Sequence, residues 1–380
     1  MNQVIVNGTI FTGDALLHDH CVLISQGRIV DVIERHQAPA DFGAQFDLQG
    51  GTLIPGFIDL QVNGGGGILF NQAPSVETLR AIGAVHRQYG TTGFLATLIT
   101  DDFAVMKRAL NAVKQAIDQR VPGILGIHLE GPFLDPQHKG IHDARKFCQL
   151  DQEGLALVTS LGTGKTIVTL APERTNSSMI RALKDSGVIV CAGHSSADYE
   201  QTVMALAAGV SGFTHLYNAM TPLLSREPGM VGAALDDDDS WFGIIADGYH
   251  IHPAAFRVAV TAKKAGCAVL VTDAMPTVGS SCESFELGDE LITQRDGRLM
   301  NASGKLAGSN LDMLTAVNNA TRFARIDWFE AVRMATLYPA RALELDGELG
   351  AVRQGYRANL VALDTHNCIR ASWIEGEQSH

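Results

Sequence analysis

Apolar runs of seven to nine residues recur along the middle of the chain, separated by stretches with helical spacing. Eight such runs stand out, at 53–61, 92–100, 123–130, 166–172, 188–194, 211–217, 241–247 and 267–273. Each is nearly continuous in apolar residues, as parallel strands covered on both faces must be. Between most of them the spacing predicts helices, most clearly at Val76–Tyr89, Phe103–Asp118, Ser177–Ser186, Ala197–Ala208 and Pro253–Ala265. Two more are expected near 311–324 and 327–338. The helix signal after the sixth run is weak, and 274–310 reads as a long loop with β content. Eight buried strands alternating with helices predict an α/β fold, a (β/α)8 TIM-type barrel.

The two ends of the chain have another rhythm. VIVNGTIFTG and CVLISQGRIVDVIE are β-rich runs broken by Asn-Gly and Gln-Gly turn signals, and GAVRQGYRANLVALD returns to that style. Residues 1–54 and 350–380 are therefore expected to form one small β domain, with the barrel over 55–349.

Polar residues stand where such a barrel places its chemistry. Gln61 and Asn63 end the first run and Glu130 the third; Glu173 follows the fourth. His194 ends the fifth and His215 lies late in the sixth; Asp247 and Asp273 end the last two. Active sites of these barrels form at the C-terminal strand ends. Glu130, His194 and His215 make a three-ligand set that suits zinc and tolerates iron or another divalent ion. A single buried histidine is more often a hydrogen-bonded core residue. Three metal-ligating residues at one barrel end reverse that preference. Asp273, if not a turn cap, is placed to move protons for a metal-activated water. Arg226 in SREPGMVG, His250 and the backbone after His215 could clamp a phosphate; the alternative for Arg226 is an ion pair with Glu227.

Composition narrows the partners. The 380 residues carry a formal net charge of −12, which argues against nucleic acid or an anionic membrane. No G-x-x-x-x-G-K-[ST] or G-x-G-x-x-G motif is present, so no nucleotide site is expected. The 6 cysteines include no C-x-x-C pair, and the N-terminus lacks the features of a signal peptide. A reduced, cytoplasmic setting is the expectation.

The stretches PGFIDLQVNGGGG, HLEGPFL, KGIH, AGHS, THLYNAM, REPG, GIIADGYH, LVTDAM and LAGS, in this order, resemble the N-acetylglucosamine-6-phosphate deacetylase family of the amidohydrolase superfamily. The resemblance covers nearly the whole chain. It implies hydrolysis of N-acetyl-D-glucosamine 6-phosphate to glucosamine 6-phosphate and acetate, by a homodimer. Glu130, His194 and His215 match its metal ligands, Asp273 its acid/base, and His142 the residue that polarises the acetyl carbonyl. Its substrate contacts fall on Ile141, His142, Asn218, Ala219, Arg226, Asp247, His250, Leu306, Ala307, Gly308 and Ser309, with Arg226 reaching the neighbouring subunit. The chain departs from many amidohydrolases in having Gln61-Val62-Asn63 in place of His-x-His, and no lysine closes the fourth run. Neutral amides are poor ligands for a transition metal. One metal per subunit is therefore expected (zinc first, with iron, cobalt or manganese as alternatives), and Gln61 is expected to orient a water. The rival readings are another amidohydrolase activity and a sugar-phosphate sensor that has lost its chemistry.

Overall fold

The computed structural model describes residues 2–379. Eight parallel strands, Phe57–Val62, Thr91–Ile99, Ile124–Glu130, Lys165–Leu170, Ile189–Ala192, Val210–Phe213, Trp241–Ile244 and Ala268–Leu270, follow one another around a barrel in chain order. The seam between the last and the first is closed just past the strand ends. There the Asp273 amide donates to the Gln61 carbonyl at 3.0 Å and the Asn63 amide to the Ala274 carbonyl at 2.9 Å. Asp59, fully buried on the first strand, ties the same seam lower down. Its carboxylate accepts from the Thr272 hydroxyl at 2.5 Å and from the Thr272 and Gln61 amides at 3.2 Å each.

Helices cover the barrel where the spacing placed them. Phe103–Asp118 buries the stripe Met106, Ala109, Leu110, Val113 and Ala116, which lies on one face of a 3.6-residue period. Caps fix several starts: Ser75 before Val76–Arg87, Asn176 before Ser177–Asp185, and a reciprocal Asp198–Gln201 pair before Tyr199–Ala208. The weak signal after the sixth strand corresponds to a short helix, Gly229–Asp236. The second expected C-terminal helix is two, Trp328–Met334 and Leu337–Ala342, separated at Thr336.

The first apolar run is not one barrel strand. Thr52–Pro55 belongs to the small domain, pairing with Leu360–Leu363 and Thr9–Phe11, and only Phe57–Val62 enters the barrel. Gly56 is the junction: a Cβ there would fall 2.1 Å from the Thr92 hydroxyl, so only glycine lets the chain cross that close. Both chain ends contribute to the six-stranded sheet that holds Thr52–Pro55. Its core, with Ile5, Val22, Ile24, Leu53, Leu360 and Trp373, joins residues from both. The 274–310 segment carries a three-stranded antiparallel sheet, Ser284–Leu287, Glu290–Arg295 and Arg298–Met300, beside the barrel mouth. Among the described residues no helix is long and apolar enough to cross a membrane.

Candidate active site

Glu130, His194 and His215 converge. Glu130 Oε1 lies 3.2 Å from His194 Nε2 and 2.9 Å from His215 Nε2, and the two nitrogens are 3.0 Å apart. All three side chains are buried. Two imidazole nitrogens facing each other across a carboxylate is the donor set of a divalent-cation site, and these three residues could hold a metal. The orientation of His194 suits a ligand. Its Nδ1 meets the His138 carbonyl at 2.8 Å, which places the proton on Nδ1 and frees Nε2. His215 Nδ1 has no partner among the described residues. Burial works to raise the Glu130 carboxyl, but the adjoining histidines, His194 and His215 first, outweigh it and hold the group well below the usual carboxylate range.

The strands stop earlier than the apolar runs do. The fifth ends at Ala192 and the sixth at Phe213, so His194, His215 and Asp273 all lie beyond strand ends. Their φ angles are 50°, 34° and 52°, in the left-handed region that side chains rarely adopt. Such strain concentrates at functional sites, where the surrounding structure enforces it. Here the ladder bonds around the seam and the mouth supply that enforcement.

Asp273 faces the triad through two amides. Gln61 Nε2 lies 3.1 Å from Asp273 Oδ1 and 3.3 Å from Glu130 Oε2, and Asn63 Nδ2 lies 2.7 Å from Asp273 Oδ1. Both donors therefore address one oxygen of Asp273 and leave Oδ2 toward the cavity. Burial, and then the Glu130 charge, push the Asp273 carboxyl up to about 6. His142, on the loop after the third strand, is held by the Thr100 hydroxyl at 2.8 Å and lies 3.9 Å from Glu130. Burial first, then the neighbouring His194, push His142 down to about 3, so it is neutral near pH 7.

These groups line a cavity of about 370 Å³ with Ile141, Asn218, Ala219, His250, Leu306 and Gly308. Asp247 is not in its wall; it holds His250, with Oδ2 2.6 Å from Nδ1. Ala307 and Ser309 are buried behind the wall, where Ser309 donates to the Thr272 carbonyl at 2.5 Å. Arg226 is exposed, outside the cavity, and makes no ion pair with Glu227 or any other described residue. Sequence reasoning did not find Asp59, Thr100 or the His138 carbonyl. Asp59 lies inside the first apolar run and Thr100 closes the second with no partner evident in sequence, and a backbone carbonyl leaves no residue-type signal at all.

An eight-stranded parallel barrel whose mouth gathers Glu-His-His and an aspartate defines a barrel hydrolase of the amidohydrolase class. Comparison with known proteins agrees: residues 52–379 match the Amidohydrolase family and residues 4–53 the NagA composite domain. The N-acetylgalactosamine-6-phosphate deacetylase of Shewanella sp. (strain ANA-3) is 42% identical over 99% of this chain and 95% of its own. The N-acetylglucosamine-6-phosphate deacetylase of Haemophilus influenzae is 35% identical over 99% of each chain. The crystal structure of N-acetylglucosamine-6-phosphate deacetylase from Pasteurella multocida superposes with a TM-score of 0.96 at 33% identity, covering 100% of both chains. The chain belongs to the amidohydrolase family, in the same group as these deacetylases.

Proposed function

We propose that this enzyme hydrolyses the acetamide of N-acetyl-D-glucosamine 6-phosphate, giving D-glucosamine 6-phosphate and acetate, in amino-sugar catabolism. The observation that carries the reading is the pairing of a Glu-His-His triad with Asp273, whose free oxygen shares one cavity with them. One divalent ion per subunit, zinc in first place and iron, cobalt or manganese otherwise, would be held by Glu130, His194 and His215. When bound, such an ion lowers the pKa of a coordinated water and polarises a carbonyl.

The chain's own groups do the rest. Asp273 Oδ2 accepts a proton from the attacking water and later gives it to the amine nitrogen as the C–N bond breaks. Gln61 and Asn63 fix the other oxygen, and Gln61, touching both carboxylates, orients the water. His142, neutral and held through Nδ1 by Thr100, directs Nε2 at the oxygen where negative charge develops. Asn218, Ala219 and His250 hold the sugar phosphate, with Ile141 and Leu306–Ser309 shaping the wall.

Arg226 completes the phosphate site of a neighbouring subunit in a homodimer. In support, it stands exposed and, among the described residues, unpaired, beside Leu223 and Leu224, which are 50% and 55% exposed. The division into a structural domain, 1–54 with 350–380, and a hydrolase domain over 55–349 goes with this reading, save that Pro55 pairs in the small domain's sheet. The setting is cytoplasmic; all six cysteines are free thiols.

A second reading is favoured by one observation. The relative at 42% identity carries the galacto name, so the 4-epimer, N-acetyl-D-galactosamine 6-phosphate, is the alternative substrate. Acetate release from the two phosphorylated sugars, measured side by side with metal content, tests both. Preference for the galacto sugar replaces the first reading by the second. Release of ammonia instead of acetate removes both.

A further inference from the structure

Two cavities meet at the barrel mouth. Behind the substrate cavity lies another of about 500 Å³, between the loop after the third strand and the three-stranded insert, bounded by Asp101, Lys146, Glu286 and Asp289. The two share three residues: Ile99, Ile141 and His142.

Ile99 is the last residue of the second strand and the register partner of Glu130. Register partners in a sheet leave it on the same face, so Ile99 stands beside the metal-ligating carboxylate. It is fixed there. Asn71 donates to the Ile99 carbonyl at 2.8 Å and accepts from its amide at 3.0 Å. Its side chain packs with Leu69, Met275 and Ala307 in a buried apolar cluster that Ile141 also joins. A reacting carbonyl held between the triad and His142 would turn the acyl methyl, the apolar end of the substrate, toward Ile99 and Ile141, the apolar residues of that wall.

We infer that Ile99, backed by Ile141, is the wall that sets acyl-chain length, and that longer N-acyl amino-sugar phosphates are excluded by this side chain and not by lack of room behind it. The inference rests on the deacetylase reading. The chemistry is the same for any acyl length: a C–O bond forms from water, the C–N bond breaks, the nitrogen takes a proton, and a carboxylate leaves. Only the space for the chain differs.

The test compares kcat/KM for N-acetyl- and N-butanoyl-glucosamine 6-phosphate in wild type, Ile99→Ala and Ile99→Ala/Ile141→Ala. A methylene in an apolar pocket changes discrimination by about 10–200-fold. The butanoyl-to-acetyl ratio is expected to rise by roughly tenfold or more in the single variant, and further in the double. Ile99→Phe, which adds bulk, should move preference the other way, toward N-formyl. Ile99→Val makes the first shift smaller but measurable should the alanine variant not fold. An unchanged ratio in folded, metal-retaining variants overturns the wall. Wild type that releases acetate from neither epimer overturns instead the reading on which it rests.

Discussion

Asn63 donates its side-chain amide to Asp273 Oδ1 at 2.7 Å, the shortest contact the carboxylate makes across the barrel seam. With Gln61 on the same oxygen, the other is left without a side-chain donor among the described residues, as the proposed proton transfer requires. Asp273→Asn should keep this geometry and lose the proton. Turnover is expected to fall by about 10²–10⁴, with metal content unchanged by elemental analysis. Near-normal turnover with the metal retained would remove Asp273 from the chemistry.

The same contact sets a pH dependence. The hydrogen bond from Asn63 lowers the Asp273 pKa, against burial and the Glu130 charge, which raise it. The base works as the carboxylate, so kcat/KM declines as pH falls through that pKa. Metal-free protein should titrate at Asp273 near 6, by carboxyl NMR. A divalent ion in the triad favours the charged form and moves the limb lower. Asn63→Ala should move it higher in either state, by about a pH unit or less. A limb that does not move would break the link between the two residues.

Arg226 offers a test of assembly. Arg226→Ala should raise KM for the phosphorylated sugar by at least about tenfold, the scale of a lost charged hydrogen bond, and leave hydrolysis of unphosphorylated N-acetylglucosamine nearly unchanged. Mixing Arg226→Ala with Asp273→Asn subunits should restore part of the activity if the arginine serves a neighbour's site. No recovery in demonstrably mixed dimers would confine Arg226 to its own chain.

Asp59 makes a claim about stability. Burial raises its pKa to about 7, against the opposing Thr272 hydroxyl. The folded protein therefore binds more protons than the unfolded chain between about pH 4 and 7. Stability from this group is complete below the unfolded value of about 3.9 and is lost as pH rises through 7. Asp59→Asn keeps the shape and should flatten that decline, by up to about 4 kcal/mol in the difference between the two unfolding free energies. Parallel urea-unfolding curves for the two proteins across this range would contradict it.

The fold was legible because its signals are repetitive: eight apolar runs, helical spacing between them, and a turn-rich style at both ends. The convergence of Glu130, His194 and His215 was legible because all three stand at the ends of apolar runs, where such a barrel gathers its polar groups. What escaped was positional. Leu53 and Ile58 look alike in sequence, yet they lie in different sheets because Gly56 lets the chain cross against Thr92. The runs also overshoot the strands at His194 and His215, since residue type does not report a left-handed φ. Asp247 reads as a strand-end acid equivalent to Asp273; the structure separates them, since Asp273 lines the cavity and Asp247 stands behind it, 2.6 Å from His250 Nδ1.

The small domain's mixed parentage bears on synthesis. Thr52–Pro55 is made about 300 residues ahead of its antiparallel neighbour, Leu360–Leu363. Every barrel strand emerges before that neighbour does, so translation allows the barrel to close first. The sheet that holds Thr52–Pro55 gains its antiparallel partner only after all eight barrel strands have been made.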